Sequence, residues 1–74
     1  MDYEFEAGQG VRVKEEHIPH VPKKIKELLK HTNQFTVVEV GINGMYVVDE
    51  HNNRVFGLKK RFEPIGIQHE AEEL

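Results

Sequence analysis

Two β-branched runs flanking Asn43-Gly44 constrain this chain more than any other feature. Phe35-Thr36-Val37-Val38-Glu39-Val40-Gly41-Ile42 and Met45-Tyr46-Val47-Val48-Asp49 are rich in side chains that suit a pleated surface. Asn-Gly is the preferred pair for a two-residue type I′ hairpin turn, where both residues need positive φ. Taken literally, that turn sets Ile42 opposite Met45, Val40 opposite Val47 and Val38 opposite Asp49. One face then carries Val38, Val40, Ile42, Met45 and Val47, which we assign to the core. Phe35, Glu39, Tyr46 and Val48 fall on the other, at least partly exposed face. A single bulge would reverse the assignment for one strand.

The rest of the chain supplies partners for that hairpin. Residues 1–9 are polar and acidic with a few aromatics, and read as a loosely held lead-in. Gly10-Val11-Arg12-Val13-Lys14 alternates with period two, which predicts a half-buried strand. Glu15 to Val21 has no clear period, and Pro19 and Pro22 argue against a strand or helix running through it. Pro22 suits the first turn of a helix. Ile25, Leu28 and Leu29 then form an apolar stripe at i, i+3 and i+4, with Lys23, Lys26, Glu27 and Lys30 opposite. Such a short helix is unstable alone and must dock its stripe on the sheet. Glu50 to Asn53 predicts a second turn and Arg54 to Leu58 a further strand. Lys59-Lys60-Arg61-Phe62 reads as a single helical turn, and Glu63-Pro64-Ile65 as a short edge strand. Residues 67–74 are acidic and read as a disordered tail after a domain spanning 1–66.

Size and composition exclude much. At 74 residues the chain holds one domain at most. A fold this small buries only about 60% of its unfolded surface, which leaves no room for a deep cleft beside the core. Without cysteine there are no disulfides, thiolate metal sites or cysteine nucleophiles. The first residues lack the basic and apolar regions of a signal peptide, and no apolar run is long enough for a membrane span. A cytoplasmic protein without membrane association is expected. There is no serine and no glycine-rich phosphate loop. The carboxylate pairs Glu15-Glu16 and Asp49-Glu50 are adjacent, which points their side chains apart on a strand. No enzyme, no catalytic residue and no cofactor is expected.

Gly57-Leu58-Lys59-Lys60-Arg61-Phe62-Glu63-Pro64-Ile65 resembles the end of Src-homology-3 domains, where an aromatic in a helical turn precedes a last Glu-Pro-Ile strand. Gly10-Val11-Arg12-Val13 is similar to the opening strand of bacterial SH3-like and KOW-type modules. The resemblance covers roughly residues 8–66. It implies a mainly β fold, a small five-stranded SH3-like barrel with one short helix between its first and second strands. Two departures matter. Proline-rich peptides are gripped in that family by a tryptophan and several tyrosines, whereas this chain has no Trp and only Tyr3 and Tyr46. The glycine that KOW modules place before their second strand is replaced by Asn33-Gln34. Tiny cysteine-free SH3-like chains with an inserted helix resemble open reading frames of bacteriophages, which implies a host protein as target.

Three sets of residues are candidates for function. His17 and His20, with Glu15 and Glu16, could suggest a divalent metal, but zinc wants three or four rigid ligands and Pro19 argues against a helix here. No metal site is expected. Phe35, Glu39 and Tyr46 would give an exposed face suited to a protein partner, the aromatics acting as rigid anchors. Lys23, Lys26, Lys30, Lys59, Lys60 and Arg61 could instead form a phosphate-binding surface for nucleic acid. The net charge of −3 favours neither, since the acids gather near the ends and the bases in two interior blocks. Phe62 reads as a core residue. The first reading is a protein-binding adaptor or inhibitor, and the alternative is a KOW-like nucleic-acid module. A monomer is expected, or a weak homodimer through an open sheet edge.

Overall fold

The computed structural model describes residues 3–65. Five antiparallel strands form one sheet in the order β4-β3-β2-β1-β5. They are β1 (Gly10–Val13), β2 (Phe35–Val40), β3 (Gly44–Val48), β4 (Arg54–Leu58) and β5 (Phe62–Pro64). A short helix, α1 (Lys23–Leu29), lies between β1 and β2. Two tight 3-10 turns, Glu15–His20 and Lys59–Arg61, follow β1 and β4. Among the described residues, strand pairing does not close the sheet into a barrel, because β4 and β5 each have one neighbour. The mainly β class, the helix after the first strand and the helical turn at Lys59–Arg61 agree with the sequence reading. Residues 67–74 lie outside the described ones.

The hairpin departs from that reading. Val40 faces Met45 and Glu39 faces Tyr46, while Val37 faces Val47 and Thr36 faces Val48. The register breaks between Val37 and Glu39, so Val38 is a bulged extra residue. Ile42 and Asn43 form the tip, across which the Gly41 N–H donates to the Gly44 carbonyl at 2.8 Å. Among the described residues positive φ occurs only at Gly8 and Asn52, so Asn43-Gly44 lacks the torsions of a type I′ turn. Gly44 serves a different need. A Cβ there would run into the Phe56 ring and stand 2.9 Å from the Gly57 carbonyl oxygen.

The bulge reverses the inside of β2. Phe35, expected on the exposed face, is 2% exposed and packs edge-to-face on Phe62 at 6.4 Å. Val37 is buried beside it, together with Met45 and Val47 from β3. Val38, Val40 and Ile42, expected in the core, are at the surface instead.

Helix α1 follows Pro22 and buries Ile25, with Leu28 and Leu29 partly buried against the core. Its docking site is an absence. A Cβ on Gly57 would lie 2.6 Å from Phe62 Cε2 and 3.2 Å from Ile25 Cδ1. Phe62 and Ile25 can meet over β4 only because no side chain stands there. Phe62 is fully buried, as the sequence suggested.

Other segments are better tied than expected. The turn Glu15–His20 contains Pro19, whose fixed φ suits a 3-10 backbone, although the sequence argued against any helix there. In the lead-in, the Gly8 N–H donates to Val37 O at 2.7 Å and the Val37 N–H to Gln9 O at 2.9 Å. Phe5 packs partly against the core. The Asn33 amide acts as a strand partner for β1. Its Oδ1 accepts from the Val13 N–H at 2.9 Å, and its Nδ2 donates to the Val13 carbonyl at 3.1 Å. Pro64 sits on the edge strand β5 opposite Val11, where a missing donor is tolerated.

Two substitutions check this packing by urea denaturation. Gly57→Ala must displace a fully enclosed ring and is expected to cost about 1–3 kcal/mol. Asn33→Ala strands the Val13 donor and acceptor, which costs about 1–3 kcal/mol. An unchanged midpoint in either case would contradict the contacts described.

Candidate functional site

Two surfaces stand out from the packed interior. The first is the outer face of β2, β3 and β4. Tyr46 and Phe56 are directly opposed across β3 and β4, with ring centroids 5.1 Å apart and planes at 64°. They remain 38% and 49% exposed. The Arg54 guanidinium lies 4.5 Å from the Tyr46 ring centroid, and its Nη2 is 3.0 Å from Glu39 Oε1. An exposed cation–π contact contributes about 0.5–1 kcal/mol, and an exposed ion pair about 0.2–1 kcal/mol. These contacts orient the rings more than they stabilise the fold.

Glu39 and Tyr46, expected here, are brought together, whereas Phe35 is in the core. Phe56 and Arg54 take part without having been anticipated. The alternation of Arg54-Val55-Phe56-Gly57-Leu58 carried the signal, because it puts Arg54, Phe56 and Leu58 on one face with Val55 and Gly57 behind.

The second surface is an open cleft of about 510 Å³ at the hairpin tip. Two backbone bonds frame it. The Lys59 N–H donates to Asn43 O at 3.0 Å, fixing the tip to the turn Lys59–Arg61. The Lys14 N–H donates to Arg61 O at 2.8 Å, fixing the end of β1 to the same turn. Tyr3 and Phe5 form a wall, with ring centroids 6.1 Å apart. Ile42 and Leu58 add apolar surface, and Lys14, Lys59 and Lys60 supply positive charge. Lys14 Nζ stands 5.5 Å from the Tyr3 ring centroid. A shallow cleft this size exists on so small a fold because it lies between surface segments and not beside the core.

The basic residues singled out in the sequence do not all gather there. Lys59 and Lys60 line the cleft, and Lys14 joins them from β1. Lys23, Lys26 and Lys30 lie on or beside α1, exposed and not among the cleft-lining residues. The Arg61 guanidinium turns to His17, with Nη1 2.9 Å from Nδ1. Arginine only donates, so that imidazole nitrogen accepts and its lone pair is occupied. Among the described residues no group of three or more His, Asp or Glu side chains could hold a metal ion.

A further hollow of about 580 Å³ separates the end of α1 from the β3–β4 turn, with Glu27, His31, Asp49 and His51 on its walls. The Asp49 carboxylate is committed to the turn. Oδ1 accepts from the His51 N–H at 2.9 Å and the Asn53 N–H at 2.8 Å, and Oδ2 from Asn53 Nδ2 at 2.9 Å. The Asn53 side chain, then its backbone N–H, hold the Asp49 carboxyl below its ordinary value of 3.8. His51 adds to the effect and desolvation opposes it. That hollow therefore offers no free carboxylate at Asp49.

No family model, curated protein or solved structure matches this chain. No helix among the described residues is long and apolar enough to cross a membrane.

The turn gives a pH test. A carboxyl whose folded value is depressed stabilises fully above its unfolded value, and loses that contribution as pH falls through the folded one. Asp49→Asn is expected to melt below the parent at neutral pH, with the gap closing as pH drops below 3.8. A gap that persists in acid would mean the charge plays no part.

Proposed function

We propose that this chain is a non-enzymatic binding module that engages a protein partner through the outer face of β2, β3 and β4. The observation that carries this reading is the Tyr46–Phe56 pair, oriented by Arg54 and Glu39 yet open to solvent. Aromatic and arginine side chains are the types that dominate binding energy in protein interfaces. Two rigid rings lose little conformational entropy on contact. The proposed site therefore keeps Glu39 and Tyr46, gains Phe56 and Arg54, and drops Phe35.

The strand order, the long connection carrying α1 and the helical turn before β5 support the SH3-like reading of the fold. The lack of tryptophan argues against proline-rich ligands as the partner. The resemblance to small bacteriophage chains extends the proposal to a bacterial host protein in the cytoplasm, with this module as adaptor or inhibitor. The nucleic-acid alternative is the weaker one, because α1 keeps Lys23, Lys26 and Lys30 out of the lysine-lined cleft.

Affinity capture from bacterial lysate, followed by titration of the captured protein in purified form, tests this. We expect one saturable partner whose affinity falls about tenfold or more in Tyr46→Ala and in Arg54→Glu. Both variants should melt like the parent. Capture of background alone, or a partner indifferent to both substitutions, would overturn the proposal. So would sedimentation showing a dimer that either substitution dissolves, since the face would then be a self-interface.

A further inference from the structure

The lysine-lined cleft has a composition that none of the preceding arguments explains. Ile42 at its rim is 90% exposed, held there because the Asn43 carbonyl is bonded to the Lys59 N–H. Leu58 and the partly exposed Phe5 and Tyr3 continue the apolar surface inward. Lys14, Lys59 and Lys60 stand around it, and neither ion pair among the described residues involves any of them. A neutral apolar ligand would leave three cations unanswered and partly desolvated. A bare inorganic anion would leave Ile42 and Leu58 in water. The lining therefore calls for a ligand both anionic and apolar.

Two classes of macromolecule meet that description, and the charge distribution separates them. A nucleic-acid strand carries one negative charge per nucleotide along its whole length. Three lysines release few counterions, so the electrostatic contribution to binding such a strand is small. Beyond the cleft the strand would meet a chain of net charge −3, with Glu4 and Glu6 flanking Phe5 on the very segment that forms the wall. A peptide can place its charges only where lysines stand and present an apolar side chain between them. The capacity of about 510 Å³ suits a few side chains.

We propose that this cleft captures an acidic peptide segment, carboxylates on Lys14, Lys59 and Lys60 and one apolar side chain against Phe5, Ile42 and Leu58. The proposal rests on the protein-binding reading and names the chemistry of a second contact with the same partner. The aromatic face supplies anchors, and the cleft supplies charge selection. Lysine–carboxylate pairs at a rim steer encounter and reject basic competitors.

The probe is a synthetic acetylated peptide with one phenylalanine flanked on both sides by glutamates, titrated into the full chain by fluorescence anisotropy. Comparison peptides carry lysine in place of each glutamate, or alanine in place of phenylalanine, and an oligothymidylate of similar length serves as the polyanion. We expect saturable binding of the acidic peptide that weakens with added salt. It should fall about tenfold or more in a Lys59→Glu/Lys60→Glu double variant. Ile42→Asp, a change at the exposed tip, should weaken it as well, as should the alanine peptide. The lysine peptide should not bind. Thermal melts confirm that the variants are folded.

No saturable binding of the acidic peptide, binding indifferent to these substitutions, or tighter binding of the oligothymidylate would each overturn the proposal. If partner capture still depends on Tyr46 and Arg54 while the peptide fails to bind, the cleft assignment falls alone. If the peptide binds at the lysines while capture yields only background, it is the aromatic-face reading that fails.

Discussion

The contact of Phe62 with Gly57 and Ile25 is the constraint on which the rest depends. The two edges of the sheet are joined there by side-chain packing and not by strand pairing. Phe62 arrives from β5, the bare backbone of Gly57 from β4, and Ile25 from α1, while Phe35 of β2 abuts the same ring. Four elements thus converge on one fully enclosed aromatic. A core this small has few redundant contacts, and net stabilities of small domains amount to only a few kcal/mol. Loss of that junction would free α1, β5 and the turn before it at once.

The surfaces open to a partner are built from contacts of another kind. Arg54 with Glu39 and Arg12 with Glu63 are ion pairs on the outside, where water screens them. They hold side chains in orientation at little energetic benefit. Both proposed binding surfaces can therefore change sequence while the interior is conserved in shape. The interior includes no buried polar or charged residue among those described, so its demands are those of volume alone.

How much of this was legible in the sequence depended on whether local chemistry was the deciding factor. The Ile25, Leu28 and Leu29 stripe, the strand at Val11 and Val13, and the burial of Phe62 all follow from spacing. The bulge at Val38 does not. Val37 and Val38 are chemically identical, so pattern cannot say which points inward, and only the register against β3 decides. Asn43-Gly44 misled for a related reason, since its glycine answers to the Phe56 ring across the sheet and not to the turn. Phe56 and Arg54 could have been found from alternation in β4. The cleft could not, because Tyr3, Lys14, Ile42 and Lys59 meet only through the backbone bonds at Asn43 and Arg61. The basic residues on α1 were grouped with Lys59 by composition, a property that carries no distance.

The Asn33 amide has a wider implication. By matching both main-chain groups of Val13 it acts as a clasp across 20 residues of intervening chain. With the ends clasped, the ordering entropy of that excursion rises only slowly with its length, about 0.6 kcal/mol for each doubling. Segments of other lengths and sequences could be grafted between the two points at modest expense, provided one apolar side chain still covers Gly57. The scaffold would then serve as a cassette, its sheet inherited intact while the excursion diversifies.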